Sequence, residues 1–426
     1  MMKILVVGGG GREHAICHRF RQSQSVREVY CANGNAGISG IATIVSINPN
    51  QTAELVTFAR QKSVDLTFIG GENPLAGGVV DSFRAAGLAI VGPTRLAARL
   101  ESSKGFAKDF MNRHRIPTAR YRVADSAIEA AEILDSGYFG GEELPVVVKA
   151  DGLAAGKGVV VAENRQEALA AIQELAAVAG REAAGRIVLE ERLVGREVSL
   201  ILFAAGEKYA LMPPTRDYKR LLDNDRGPNT GGMGTFTDDD LLSDDEIFKI
   251  RTQIIEPTLS GCVEENFPFS GVLFLGLMIT ADGPKVLEYN VRFGDPETQS
   301  ILVRLETDLA EIAAQLASGT LEASEVRWRK HSSATVILAA EGYPRNPRLG
   351  DPIIGLEEAA KVPDVKLFHS GTAFGPGGEF VTAGGRVIGV TATDATRRKA
   401  IERAYSAARL IDWPGRQMRS DIGRAV

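Results

Sequence analysis

Val146-Val147-Val148-Lys149-Ala150-Asp151-Gly152-Leu153-Ala154-Ala155-Gly156-Lys157-Gly158-Val159-Val160-Val161 decides how the middle of this chain folds. Two apolar runs flank a short glycine-rich join. A parallel crossover needs a dozen or more residues, so the runs form an antiparallel hairpin. The stretch resembles a P-loop only superficially. Asp151 stands where the first P-loop glycine belongs, Gly158 replaces the Ser/Thr that holds magnesium, and a strand follows instead of a helix. What remains is a cationic flap. Lys149 at the strand end can hold nucleotide phosphates, and the segment carrying Gly156, Lys157 and Gly158 can close over them and exclude water.

Outward from this hairpin the pattern changes on both sides. Toward the N-terminus, Lys3 to Val7, Val64 to Gly70 and Leu88 to Val91 read as buried strands, with helices starting at Arg12 and spanning Val79 to Ala86. That alternation predicts a parallel α/β sheet over residues 1–101. Toward the C-terminus, a helix over Ser103 to His114 leads into strands at Leu144 to Ala150, Val159 to Ala162, Arg186 to Glu191 and Glu197 to Phe203. A second hairpin, Gly271 to Thr280 with Pro284 to Asn290, turns at Ala281-Asp282-Gly283. Residues 102–325 are therefore expected to be α+β, with a flap subdomain at about 120–195. The strand Ser333 to Ala339, the prolines 344, 347 and 352, and a hairpin turn at Gly384-Gly385 mark a third unit, 326–426.

Composition bounds the function. The 426 residues are 44% hydrophobic and 24% charged, which excludes wholesale disorder. Glycine is in excess: 46 residues, about 11% against a usual share of roughly 7%. A net charge of −5 offers no electrostatic footprint for nucleic acid. Cys17, Cys31 and Cys262 are scattered and odd in number, which argues against a disulfide framework or zinc site and fits a reducing compartment. No apolar run approaches the roughly 20 residues of a membrane span. The expectation is a cytoplasmic, multidomain protein.

Several stretches carry candidate chemistry. Gly8 to Gly11 lies between a strand and a helix, where unpaired N–H groups and the helix dipole favour an anion. The dinucleotide pattern fails, since Glu13 stands where its last glycine belongs and the second strand ends in Asn33 rather than an acid. A phosphate-binding turn for another ligand is the preferred reading; a tight structural turn and a nicotinamide or flavin site are the alternatives. His14 and His18 lack the zinc-protease pattern and are expected to pack or cap. Glu288, Asn290 and Arg292 alternate on a strand and project together; the first two offer oxygen ligands for magnesium, and Arg292 can grip a carboxylate or phosphate. The glycine-rich run Gly227 to Gly234 and Asp217-Tyr218-Lys219-Arg220 lie in a long loop region that favours close approach to a substrate. Ser243-Asp244-Asp245-Glu246 reads as a capping box, and Arg327-Trp328-Arg329-Lys330-His331 as a domain linker.

A lysine at a strand end, a flap between antiparallel strands and a later Glu-x-Asn strand together resemble the ATP-grasp carboxylate–amine ligases. Gly-Gly-Arg-Glu-His-Ala (10–15), residues 148–159, Gly-Pro-Asn-Thr-Gly-Gly-Met-Gly (227–234), Arg-Phe-Gly-Asp-Pro-Glu-Thr-Gln (292–299), Gly-Gly-Arg-Val (384–387) and Arg-Ser-Asp-Ile-Gly (419–423) make the resemblance specific. They are similar to the phosphoribosylamine–glycine ligase (glycinamide ribonucleotide synthetase) family and cover essentially the whole chain. The resemblance implies an N-terminal pre-ATP-grasp sheet, a two-part ATP-grasp body and a small mixed C-terminal domain. It implies ATP-dependent ligation of glycine to 5-phosphoribosylamine through glycyl phosphate, the second step of de novo purine synthesis. The same-class alternative is another purine-pathway ATP-grasp ligase, and the different-class ones a dinucleotide-dependent oxidoreductase and a non-catalytic nucleotide-binding module.

By the same resemblance, ATP meets Lys104, Lys149, Gly156, Lys157 and Gly158, with Glu190, Glu191 and Leu193 as the adenine hinge and Glu197 at the ribose. Glu288 and Asn290 hold Mg2+ or Mn2+. Arg292, Lys149 and Asp295 are the catalytic candidates, Arg292 and Asp295 facing glycine with Gly294. Gly10, Gly11, Arg12 and Glu13 take part of the phosphoribosylamine, and Asp217 and Asn229 also line substrate. No nucleic-acid or membrane partner is implied, and the chain is expected to be a monomer or weak homo-oligomer. Tyr218 departs from the family's usual histidine, Asn33 from a proline, and Gly71 and Asn73 from Pro and Ala. No acid stands in Gly276 to Thr280, so phosphates and waters must complete the metal shell.

Overall fold

The computed structural model describes residues 1–143, 145–153, 158–179 and 185–424. The strand Met2–Gly8 is central in a five-stranded parallel sheet ordered Thr43–Val45, Val26–Asn33, Met2–Gly8, Leu66–Ile69, Ile90–Val91. Ile4, Leu5, Val6 and Val7 are all fully buried. Ile4 and Val6 pack on the helix Gly11–Gln22, whereas Leu5 and Val7 pack toward Thr52–Lys62 and Val79–Ala85. Covering both faces explains the unbroken apolar run. The strand order reverses beside Met2–Gly8, so a ligand crevice opens at the carboxyl ends of Met2–Gly8 and Leu66–Ile69.

The expected flap hairpin is present. Val146–Ala150 pairs antiparallel with Val159–Ala162, with Lys149 opposite Val159. Ile187–Glu191 and Tyr121–Ala124 complete a four-stranded sheet, and the helices Ala127–Asp135 and Arg165–Ala179 bury Ala130, Leu134, Ala168 and Ile172 against it. The flap tip, including Gly156 and Lys157, lies outside the described residues.

The largest sheet runs through the rest of the chain in the order Gly283–Asn290, Ser270–Thr280, Arg196–Ala205, Thr215–Asp217, Gly234–Thr237, Ser332–Ala339, Arg386–Asp394, Val365–His369. The second expected hairpin forms its edge. At the seam between Gly234–Thr237 and Ser332–Ala339 a buried hydroxyl ladder crosses the sheet. Ser300 Oγ lies 2.6 Å from Thr235 Oγ1 and 2.7 Å from Thr335 Oγ1, which in turn lies 2.8 Å from Thr391 Oγ1. The C-terminal strands Ser332–Ala339, Arg386–Asp394 and Val365–His369 thus extend this sheet, while Thr372–Phe374 and Phe380–Thr382 form a two-stranded sheet of their own. The expected hairpin turn at Gly384-Gly385 is a correction. Phe380–Thr382 pairs with Thr372–Phe374, while Arg386–Asp394 joins the large sheet. Gly384 instead lets two backbones touch: a Cβ on Gly371 would sit 2.4 Å from the Gly384 Cα.

One smaller expectation holds. Ser243 and Glu246 form the capping box of Asp244–Ile250. Trp328 leads into the C-terminal strands, its indole donating to the Leu211 carbonyl at 3.1 Å. Phe293 ties the N-terminal sheet to the body. It is 1% exposed, stacks on Phe68 and meets Phe203 edge-on, with ring centroids 6.0 and 5.9 Å away. Arg292 and Gly294 on either side are thereby fixed in place.

Candidate active site

Helix Lys104–Arg113 aims two lysines at the flap sheet, because residues four apart share a helix face. Its start is fixed by Ser103, whose Oγ accepts from the Phe106 amide at 3.2 Å, and by Asp151, which accepts from Ser103 Oγ and the Gly105 amide, each at 3.2 Å. Lys104 donates to the Gly152 carbonyl at 2.8 Å. Lys108 reaches Glu190 at 2.9 Å, and Lys149 reaches the other Glu190 oxygen at 2.8 Å. All three side chains of that triad are nearly or fully buried. Burial alone would raise the Glu190 pKa, but Lys149 and Lys108 outweigh it and hold the carboxyl below its ordinary range. Burial lowers Lys108 to about 8, with Glu190 opposing. Sequence reasoning missed Lys108 and Asp151, although the four-residue spacing from Lys104 was the available signal.

Glu190 therefore spends its carboxylate on lysines, leaving only its backbone for a ligand. Glu191 likewise pairs with Arg120 at 2.7 Å, and Leu193 is half-buried in the join to Arg196–Ala205. Gly158 closes the base of the flap, its carbonyl accepting from the Ala150 amide at 2.8 Å.

Glu288 and Asn290 lie on Gly283–Asn290, the edge strand of the large sheet. Glu288 is half-buried, and among the described residues its carboxylate makes no hydrogen bond or ion pair. Burial raises its pKa, yet Lys219, Lys149, Lys104 and Arg292 together pull it below the ordinary value, so it is ionised. Asn290 Oδ1 accepts from Arg292 at 3.0 Å, confirming that the two project together. Arg292 also pairs with Glu72 at 3.2 Å and Glu101 at 2.8 Å, acids from the N-terminal region that the sequence reading did not single out. An ionised carboxylate and an amide oxygen, with no nitrogen or sulfur donors, suit a hard divalent cation such as Mg2+. Among the described residues no group of three His, Cys, Asp or Glu is placed to hold a metal ion.

A second carboxylate group faces Glu288. Lys219 pairs with Glu197. Asp217 is raised to about 6 by burial, with Glu197 and Glu288 adding to the rise against Lys219. Glu297 is 4% exposed and raised to about 8 by burial and then Asp217, so it is protonated near neutrality. Its carboxyl lies over Gly294, where a Cβ would approach it to 2.4 Å. Asn229 ends the strand Arg226–Asn229, paired with Arg220. Tyr218 turns away from this group; its hydroxyl accepts from the Gly423 amide at 2.9 Å and donates to the Arg424 carbonyl at 3.1 Å.

At the crevice of the parallel sheet a cavity of about 390 Å³ is lined by Gly9, Gly10, Asn35, Asp295, Ser370 and Arg386 among others. Bare backbone is required here: a Cβ on Gly9 would meet the Gly34 carbonyl at 2.4 Å. Gly10 caps helix Gly11–Gln22, its amide donating to Glu13 at 2.6 Å, and Glu13 also holds Arg12 at 2.7 Å. Glu13 is thus buried as a brace. Arg12 donates to the Phe293 carbonyl at 2.9 Å. Burial would raise the Asp295 pKa, but Arg386 and Arg12 hold it below the ordinary value. Arg386 lies 3.3 Å from the Asp295 carboxylate and donates to the Gly231 and Asp295 carbonyls, each at 2.6 Å. Asn35 donates to the Gly9 and His369 carbonyls at 2.9 and 2.8 Å, joining the N- and C-terminal parts. Ser370 and Arg386 were not singled out beforehand, because only the fold brings residues so distant in sequence to Gly10. Asn33 sits at φ 77°, a conformation open to asparagine and closed to the proline usual in similar chains. His14 packs as expected, its Nδ1 accepting from the His369 amide at 2.9 Å; burial lowers its pKa to about 3.

A buried lysine cluster, an ionised Glu-x-Asn edge and a hairpin flap are the features expected of an ATP-grasp enzyme. Family models agree along the chain: the phosphoribosylglycinamide synthetase N domain matches residues 2–101, its ATP-grasp (A) domain 102–298 and its C domain 333–425. Phosphoribosylamine–glycine ligase of Brucella melitensis biotype 1 is 45% identical over 426 residues, covering 100% of this chain and 98% of that protein. The Yersinia pestis protein of the same name is 46% identical, covering 100% and 99%. A solved phosphoribosylamine–glycine ligase from Thermotoga maritima superposes with TM-score 0.82 at 33% identity, covering 99% and 100%. The chain belongs to the phosphoribosylglycinamide synthetase family.

Proposed function

We infer that this chain performs the family's reaction, ligating glycine to phosphoribosylamine in purine biosynthesis at the expense of ATP. Phosphoribosylamine–glycine ligase activity follows from full-length membership of the family. The residue roles are those that the resemblance to the family implies. ATP phosphates lie toward Lys104 and Lys149, under the flap that begins at Gly152, with the adenine beside Glu190 to Leu193 and the ribose toward Glu197. Phosphoribosylamine occupies the glycine-walled cavity, its phosphate near Gly10, Gly11 and Arg12. Glycine sits between them, its ammonium toward Asp295 and its carboxylate toward Arg292; Asp217, Asn229 and Gly294 line the same passage.

Glycine's carboxylate attacks the γ-phosphorus, breaking its bond to ADP and giving glycyl phosphate. The phosphoribosylamine nitrogen then attacks the acyl carbon, phosphate leaves, and the nitrogen loses a proton as the amide forms. No side-chain nucleophile is needed, so catalysis is positioning and charge neutralisation by Lys149, Lys104 and Arg292. Held at Glu288 and Asn290, Mg2+ or Mn2+ would neutralise phosphoryl oxygen charge.

The observation that carries this reading is Glu288, ionised and without a direct partner among the described residues, amid the field of Lys104, Lys149, Lys219 and Arg292. Cys17, Cys31 and Cys262 are buried and free, as suits the cytoplasm; no helix among the described residues is long and apolar enough to cross a membrane. The test is ADP and phosphate release, expected to require glycine, phosphoribosylamine and Mg2+ together. Turnover with an unrelated carboxylate or amine, and none with these, would overturn it.

A further inference from the structure

A second cavity, of about 300 Å³, shares no lining residue with the first. It lies where the end of helix Gly11–Gln22 meets the C-terminal strands, and its wall carries His18, Arg19, Gln22, Arg329, Asp364 and Lys366. The charge there is lopsided. Asp364 is already paired with Arg403 at 2.8 Å. Among the described residues Arg329 and Lys366 make no ion pair or side-chain hydrogen bond. Arg19 donates to Gln22 Oε1 at 2.7 Å and to the Leu305 carbonyl at 2.8 Å, but its Nε is shut off from solvent with no partner among the described residues.

The cations feel one another. Burial lowers the Arg19 pKa and Arg329 lowers it further, with Asp308 opposing. Burial, Lys366 and Arg19 together lower His18 to about 4, leaving it a neutral imidazole that can donate without adding charge. Like charges gathered around a concave wall cost free energy unless an anion joins them, and such a cleft focuses field on an anionic ligand. Ala15, Leu302, Val303 and Phe368 supply its apolar wall, with the His18 ring edge-on to Phe368 at 6.0 Å.

We propose that this cavity is a second anion site, taking the phosphoryl group of a small molecule between Arg19, Arg329 and Lys366, with His18 as a neutral donor. An arginine fork with a lysine point charge is the donor set that phosphoryl oxygens take. The volume suits a phosphate, a pyrophosphate or the phosphate end of a nucleotide, at the small end of ligand cavities.

The test is calorimetric titration of the intact chain with inorganic phosphate, pyrophosphate and AMP, with the nucleotide site filled by a non-hydrolysable ATP analogue and Mg2+. Two binding events are expected to remain, one at the glycine-walled cavity that takes the phosphoribosylamine phosphate and one at this second cavity. In an Arg329→Gln, Lys366→Gln double variant the latter should weaken about ten-fold or more, since two charge-assisted hydrogen bonds are lost. Turnover without added anion should be unchanged, and Lys366→Arg should retain binding. Tighter binding of AMP would identify a nucleoside phosphate as the source; equal binding of AMP and pyrophosphate would assign recognition to the phosphoryl group alone. Identical titrations for wild type and the double variant would overturn the proposal. So would competition by chloride as effective as that by phosphate.

Discussion

Glu190 and Glu288 stand on either side of Lys149 and illustrate opposite uses of one residue type. Glu190 is 2% exposed and divided between Lys149 and Lys108 at 2.8 and 2.9 Å. Glu288 feels Lys149 only through space and, among the described residues, contacts no cation directly. The first carboxylate places a lysine. The second holds an excess of negative charge that a divalent ion can use. A buried pair broken by removing one partner leaves uncompensated charge, so Glu190→Ala should cost about 3–5 kcal/mol. The urea unfolding midpoint should fall sharply, and no change would mean that Lys149 is held by other means.

Glu288→Gln should show the complementary pattern. Its unfolding midpoint should fall only slightly, because the carboxylate is stabilised by cations through space and not by a direct partner. Turnover should drop by about 100-fold or more as metal affinity is lost. The check is a Mg2+ titration of kcat in the variant. Wild-type kcat at the Mg2+ concentration that just saturates the wild type would erase the distinction between the two glutamates.

The glycine-walled cavity sharpens the contrast further, because its charge is braced by backbone. Arg386 spans the Gly231 carbonyl, the Asp295 carbonyl and the Asp295 carboxylate at once, which a lysine's single ammonium cannot reproduce. Arg386→Lys should raise KM for phosphoribosylamine by about 10-fold with little loss of kcat. Equal losses in both would place Arg386 in the transition state instead of the cavity wall.

What could be read beforehand follows the range of the interactions. The flap hairpin, the parallel sheet and the Ser243 cap were legible because loop length, apolar periodicity and capping chemistry are local. Lys149, Glu288 and Asn290 were legible because a strand end and an alternating strand place them without tertiary knowledge. The fate of Glu190 was not, since its partner Lys108 comes from a helix far away in sequence. The Gly384-Gly385 turn failed for the same reason: Gly384 answers a contact with Gly371 and Gly385 one with Tyr343, and neither has a local signature. Tyr218 faces the C-terminal segment, so its departure from histidine touches packing rather than the Asp217 group.

Glu297 adds a third state to the comparison, a carboxyl kept neutral. Its folded pKa is about 8, whereas in the unfolded chain a glutamate titrates near about 4.3. Between those values the folded protein holds the extra proton, so the stabilisation is complete below the unfolded pKa and is lost as pH rises through the folded one. Asp217, raised to about 6 by burial, contributes with the same sign over a narrower window. Glu297→Gln mimics the protonated acid and should flatten the fall in unfolding midpoint between about pH 5 and 8, by at most about 1.4 kcal/mol per pH unit. Glu190 and Glu288, lowered in the folded state, act only in acid and cannot imitate this slope. Parallel pH profiles for the variant and the wild type would mean that Glu297 is ionised, and that its burial over Gly294 is offset by a cation such as Lys219 or Arg292 rather than by a proton.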